Sequence, residues 1–194
     1  VTVIEPQAMV LRGPLGDELG AVFADLLRTN GVRLLLGVGA TELRGQSGVA
    51  TTVVTTAEEE IRADLIVVGV GASPNTDLAQ RAGLSVDNGV TADESLRTSH
   101  PDVFVAGDIA NALHPVFRRP LRVEHWSNAL HSGPAAARSM LGHQVSYDRI
   151  PYFYTDQFDL GMEYSGDTGP AGHDRIVYRG EPGSGAFIAF WLRD

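Results

Sequence analysis

The sequence predicts an α/β fold, and three observations carry that prediction. A strand, a helix and a second strand follow one another within residues 1–36, which is the pattern of a parallel crossover. Two later runs, Ala63 to Gly71 and Pro101 to Asp108, are apolar on both faces and end in or beside glycine, as parallel strands do when both faces are covered. The composition supports a packed core: 43% of the 194 residues are hydrophobic and 20% are charged, a globular rather than a disordered balance.

Taken in order, residues 1–5 carry β-branched side chains and stop at Glu5-Pro6, predicting a short buried strand ended by a turn. From Asp17, the apolar positions Leu19, Val22, Phe23, Leu26 and Leu27 recur on one helical face, and Asn30-Gly31 supplies a left-handed stop. Val32 to Leu36 is the next strand. Between Ala40 and Ala63 the pattern becomes a small antiparallel meander, broken at Gly45-Gln46-Ser47-Gly48. Ala63 to Gly71 and Pro101 to Asp108 follow as parallel strands. A second helix is predicted from Trp126 to Leu141, kinked or broken at Pro134. After Tyr147 the chain turns aromatic and strand-like, with strands near Phe158–Glu163, Arg175–Arg179 and Ala186–Leu192, predicting a separate, mostly β domain.

Several function classes are excluded by composition. The formal charge is −9 and all 15 basic residues are arginine, so the acidic surface argues against a nucleic-acid partner. The absence of cysteine removes disulfides, thiolate metal sites, iron–sulfur ligation and dithiol relays from these residues, so redox chemistry needs a borrowed cofactor. Six histidines lie scattered without a metal-ligand spacing, and no metal site is expected. No apolar run is long enough to cross a bilayer and no basic leader opens the chain, which predicts a cytoplasmic protein without membrane contact.

The residue types that carry chemistry sit at strand ends, where α/β sheets bind ligands. Glu5 ends a strand and can accept hydrogen bonds from ribose hydroxyls; by itself it reads equally as a solvated acid. Gly69 and Gly71 let a flat ligand approach the main chain, or else form a tight exit from a strand. Asp108, behind Gly107, can bind the hydroxyls of a ribose or ribityl chain, or cap the segment that follows. Glu124-His125-Trp126 precedes a helix whose free N–H groups favour an anion or an electron-rich carbonyl. Tyr152-Phe153-Tyr154 reads as core aromatics or as a face for a planar group.

In this order and spacing, VTVIEP (1–6), ADLIVVGVGASPN (63–75), AGLSVDNGV (82–90), TSHPDVFVAGDIA (98–110), RVEHWSNAL (122–130) and YFYTDQFD (152–159) resemble the FAD-dependent, NADH-using ferredoxin reductases of bacterial oxygenase systems. These form a branch of the pyridine nucleotide-disulphide oxidoreductase superfamily. The resemblance implies part of a Rossmann-type, two-nucleotide (FAD/NAD) flavoprotein fold followed by a small α+β C-terminal domain. Residues 1–76 would be a partial NAD-binding domain, 77–147 the C-terminal part of the FAD-binding domain, and 148–194 a shortened interface domain. It also implies that Glu5 holds the adenosine ribose of NADH and that the backbone at Gly69 and Gly71 flanks the nicotinamide half. Asp108, after Gly107, would bind the ribityl chain of FAD; Trp126, in the Glu124-His125-Trp126 element, would contact the flavin pyrimidine, and Tyr154 would lie against the ring system. Electrons would pass from NADH through FAD to a small acidic [2Fe-2S] ferredoxin, with no side chain acting as acid or base because the chemistry belongs to the cofactor.

The glycine-rich phosphate loops of such a fold would lie upstream of Val1. The segment by itself is therefore expected to be marginally stable and to bind neither FAD nor NADH tightly. Rival readings are the flavoprotein subunit of a nitrite reductase, a non-catalytic NADH-responsive flavoprotein of the apoptosis-inducing-factor type, and a degenerate fragment. Arg118, Arg119 and Arg122 form the one local concentration of positive charge, either a docking patch for an acidic ferredoxin or arginines paired with nearby acids.

Overall fold

The structure is a computed structural model that describes residues 1–169 and 172–193. Strand β1 (Thr2–Glu5) pairs in parallel with β2 (Arg33–Leu36), placing Val3 opposite Leu34 and Glu5 opposite Leu36. Helix α1 (Arg12–Thr29) makes the crossover between them and buries Leu15, Leu19, Phe23 and Ala24. Gly16 is non-helical inside α1, so the regular part starts at Asp17, where the apolar repeat starts in the sequence. At the other end Gly31 adopts φ 77° and donates its N–H to the Arg28 carbonyl at 2.9 Å, while Val32 donates to the Leu27 carbonyl at 3.0 Å. This double bond pattern satisfies the last carbonyls of the helix and turns the chain into β2, as Asn30-Gly31 predicts.

The predicted meander forms from β3 (Ala40–Gln46), β4 (Val49–Thr55) and β5 (Glu60–Arg62), all antiparallel. Ser47 and Gly48 connect the first two with φ of 53° and 80°, the left-handed pair that a two-residue hairpin turn needs. The register shifts between Arg44 and Gly45, and a Cβ on Gly45 would stand 1.8 Å from the carbonyl oxygen of Val49. That obstacle is backbone of the partner strand and cannot rotate away. Gly45→Ala is expected to lower stability by about 1–3 kcal/mol, the usual cost of overpacking. Denaturant midpoints measure it, and an unshifted midpoint would mean that the hairpin relaxes freely.

The sequence predicts a strand over Ala63–Gly71, and here the structure corrects it. Ala63 still donates to the Thr51 carbonyl at 3.0 Å, but the chain then runs without a neighbouring strand among the described residues. Leu65, Val67 and Val70 are 81%, 85% and 88% exposed. A strand exists only as one side of a ladder, so apolar patterning alone leaves this run irregular. Pro101–Asp108 is corrected in the same way: Arg97 and Phe104 form a single antiparallel bridge, and Gly107–Ile109 is a short 3-10 turn.

Three short strands escape the sequence reading. β6 (Val90–Ala92) pairs in parallel with β7 (Ala110–His114), which pairs antiparallel with β8 (Arg119–Arg122). Val90, Val105 and Ala110 form their core, with Leu84, Val86 and Ile109 packed against it. The small helix α2 (Asp77–Arg81) precedes this sheet in the chain. β1 and β2 are as short but are marked by the helical repeat of α1 between them; no such repeat separates β6 from β7, and three to five residues carry no periodicity by themselves.

Helix α3 (Trp126–Met140) continues through Pro134, so the expected interruption is not a break. Pro134 and Leu130 are both exposed, so the missing hydrogen bond lies on the outer side of the helix. Gly133 has no Cβ to clash with the proline ring. The C-terminal residues form two hairpins, β9 (Tyr152–Gln157) with β10 (Leu160–Ser165) and β11 (Arg175–Glu181) with β12 (Ala186–Leu192). The strand predicted from Phe158 begins two residues later, because Phe158, at φ 54°, belongs to the turn.

By contacts the chain divides into two compact units: Val1–Val70 with Tyr178–Ala189, and Gly71–Val177 with the residues from Phe190 on. Among the described residues, no helix is long and apolar enough to cross a membrane.

Candidate functional site

In the first unit, Glu5 stands at the carboxyl end of β1, where a parallel sheet exposes its ligand-binding edge. One carboxylate oxygen accepts the Gln7 N–H at 2.8 Å, and the Glu5 carbonyl accepts the Val38 N–H at 3.2 Å. The side chain is thereby aimed from a fixed turn, with its second oxygen outside that hydrogen bond. Gly69 belongs to the same unit, in the exposed run after β5; a Cβ there would meet nothing within 4 Å. Gly71, at the start of the second unit, is likewise open.

The other predicted residues lie in the second unit, and the structure gathers most of them. Gly107 opens the turn after the core residue Val105, with φ 74°. Its N–H donates to the Ser132 hydroxyl at 2.8 Å, tying the turn to α3. Asp108 is held through its carbonyl, which accepts from Arg122 Nη1 at 3.1 Å, and its carboxylate side is exposed. The alternative role of Asp108 as a helix cap is not realised: it sits inside the 3-10 turn, which has no side-chain cap. Arg122 also pairs with Glu124, so one guanidinium joins the Asp108 turn to the residues that precede α3.

His125 is the residue before α3, and its side chain makes no capping hydrogen bond. No acidic side chain occupies the first turn either, so no carboxylate within the helix faces the positive end of its dipole. Burial holds the His125 imidazole below its ordinary pKa, against the opposing pull of Asp108 and Glu124. The ring is therefore mainly neutral at pH 7. Its Nδ1 is buried without a hydrogen-bond partner, as is Nε of Arg122. Trp126 beside it is 68% exposed. A free helix start, an orphaned imidazole nitrogen, an open aromatic and an exposed carboxylate suit a planar, polyhydroxylated, carbonyl-bearing group such as a flavin with its ribityl chain.

The aromatic strand presents its rings on two faces. Tyr154 is exposed, and the ring that meets His125 is Phe153, with centroids 4.9 Å apart. Phe153 stacks in turn on Tyr164 at 5.0 Å. The two-residue alternation of β9 puts Tyr154 on the opposite face, and that alternation is the signal in the sequence that separates the two rings. A cavity of about 30 Å³ lies beside Asn128, Ser132 and Tyr147. At roughly 10–15 Å³ per water it has room for a couple of waters and is no nucleotide site.

The arginine cluster is mostly paired. Arg119 meets Asp167 and Arg122 meets Glu124, as the second of the two readings expects, while Arg118 is exposed in the turn between β7 and β8.

A parallel crossover with an acid at its strand end, together with a glycine-aspartate turn beside an uncapped helix, defines an α/β protein of the nucleotide-binding class. Residues 1–133 match the pyridine nucleotide-disulphide oxidoreductase family, and the chain belongs to it. Residues 152–194 match the reductase C-terminal family. Among the relatives, the ferredoxin–NAD(+) reductase component of the anthranilate 1,2-dioxygenase system of Burkholderia cepacia is 35% identical over 192 residues, covering 99% of this chain and 47% of that protein. A ferredoxin reductase of Rhodopseudomonas palustris superposes with a TM-score of 0.92 at 33% identity, covering 100% of this chain and 47% of that one. The covalent putidaredoxin reductase–putidaredoxin complex gives a TM-score of 0.92 at 30% identity, with 100% and 46% covered. The chain thus spans about half the length of the relatives it matches.

Proposed function

We propose that the protein containing this chain is a flavoprotein oxidoreductase that passes electrons from NADH through FAD to a small, acidic [2Fe-2S] ferredoxin serving an oxygenase. The observation that carries the reading is the uncapped start of α3, where the buried, unpartnered Nδ1 of His125 and the exposed Trp126 adjoin the Gly107–Asp108 turn. Family membership and the likeness to ferredoxin reductases support it.

Bound FAD supplies the two-electron acceptance and one-electron release that no side chain here can perform. The chain binds and orients. Asp108 takes the ribityl hydroxyls, the α3 start with Glu124, His125 and Trp126 meets the pyrimidine side of the ring, and Tyr154 lies against the ring system. Glu5 takes the adenosine ribose of NADH and disfavours a 2′-phosphate by its charge, while Gly69 and Gly71 leave room for the nicotinamide half. Residues 1–76 then serve NAD, 77–147 serve FAD, and 148–194 form the C-terminal domain. Arg118 is the exposed cation for an acidic partner, and the site is cytoplasmic.

The test is the visible spectrum of the full-length protein from its native gene. A flavin spectrum is expected, bleached by NADH without oxygen and restored by an oxygenase-system ferredoxin. Absence of flavin would overturn the reading. A bleached flavin that the ferredoxin fails to reoxidise would overturn the electron-transfer half and favour an NADH-responsive interaction protein.

A further inference from the structure

The Gly107 turn is held by side chains that lie far away in sequence. Gly107 N–H donates to Ser132 Oγ at 2.8 Å, across 25 residues. The Gly107 carbonyl accepts from Asn128 Nδ2 at 3.4 Å, and the same amide donates to the Val123 carbonyl at 2.9 Å. Two carbonyls can only accept, so they fix the amide orientation and leave Oδ1 to accept the Tyr147 hydroxyl at 3.0 Å. Asn128 and Ser132 are one helical turn apart and share a face of α3. Ser132 is 1% exposed, so the hydroxyl that meets Gly107 N–H is closed to water. Serine and asparagine are poor interior helix residues, and these two face the turn rather than solvent.

Together with the Arg122 bond to the Asp108 carbonyl, these contacts hold three of the four polar backbone groups of Gly107 and Asp108. The Asp108 carboxylate itself is left unconstrained by them and exposed. From this we infer that Ser132 and Asn128 are positioning residues for flavin binding: by locking Gly107 onto α3, they set the direction of the Asp108 carboxylate relative to the start of the same helix. The inference rests on the flavin reading above and adds to it two residues that touch no ligand.

The experiment is a double-mutant cycle on the full-length protein, with FAD titrated into apoprotein and followed by flavin fluorescence. Ser132→Ala is expected to weaken FAD binding about tenfold when Asp108 is present, and by less than about twofold in an Asp108→Ala background, because a residue acting through another loses its effect with it. Thermal melting of the apoproteins separates loss of fold from loss of aim. Should Ser132→Ala yield no folded apoprotein, Asn128→Asp enters the same cycle, since it keeps the acceptor for Tyr147 and removes the donor to Gly107. Equal losses in both backgrounds would overturn the inference, and so would a Ser132 effect without any Asp108 effect. A wild-type protein that takes up no flavin would overturn the function reading and this inference with it; wild-type binding with additive losses would overturn this inference alone.

Discussion

Asp108→Ala in the full-length protein is expected to weaken FAD binding by roughly 10- to 100-fold for each hydrogen bond its carboxylate makes to the ribityl chain, since a bond to a charged acceptor contributes about 1.5–3 kcal/mol. Because the Asp108 side chain is exposed and its carbonyl is held by Arg122, truncation removes ligand contacts without opening the core. Stability of the apoprotein should therefore change by no more than about 0.5 kcal/mol, as for ordinary surface substitutions. Flavin titration checks the first expectation and apoprotein melting the second. An affinity within about threefold of wild type would remove Asp108 from the site, because even one lost charge-assisted bond exceeds that.

Leu15→Ala carries the largest expected effect on stability. Leu15 is 0% exposed, and it lies before Gly16, outside the stretch where the sequence shows helical periodicity. Its N–H donates to the Leu11 carbonyl at 3.0 Å, so the short helical turn before Gly16 is formed and presses its leucine inward. Emptying such a site costs about 2–5 kcal/mol, the sum of lost transfer energy and the cavity left behind. Against a total of roughly 5–15 kcal/mol for a typical domain, that is a large fraction. Denaturant unfolding of the full-length protein, followed by a probe within residues 1–70, measures it. A loss below about 1 kcal/mol would show that residues before Gly16 pack loosely and that the core begins at Leu19.

How far each element is legible in the sequence depends on whether its cause is local. The crossover β1–α1–β2 and the meander β3–β4–β5 are legible because a helical repeat, an Asn-Gly stop and a Ser-Gly turn act over a few residues. Helix α3 is legible in extent, but the effect of Pro134 depends on the exposed side it occupies and on Gly133 before it. The strand predicted from Phe158 is β10, which starts at Leu160 because Phe158, an aromatic suited to strands, takes a left-handed turn position, and its partner β9 is not among the predicted strands.

The site divides along the same line. By itself the sequence determines the α/β class, the family resemblance and the residue types at strand and helix ends, from Glu5 to Glu124-His125-Trp126. Only the tertiary structure decides that Phe153 meets His125, that Arg119 and Arg122 are neutralised by Asp167 and Glu124, and that Ser132 and Asn128 hold the Gly107 turn. It also decides that the apolar run Ala63–Gly71, whose pattern alone predicts a strand, leaves the sheet after the Ala63 bond to Thr51 and joins no further strand among the described residues. The physical reason is common to all of these: periodicity and capping are properties of neighbouring residues, whereas a ladder, an ion pair or a buried hydrogen bond needs a second partner whose position along the chain carries no local signal.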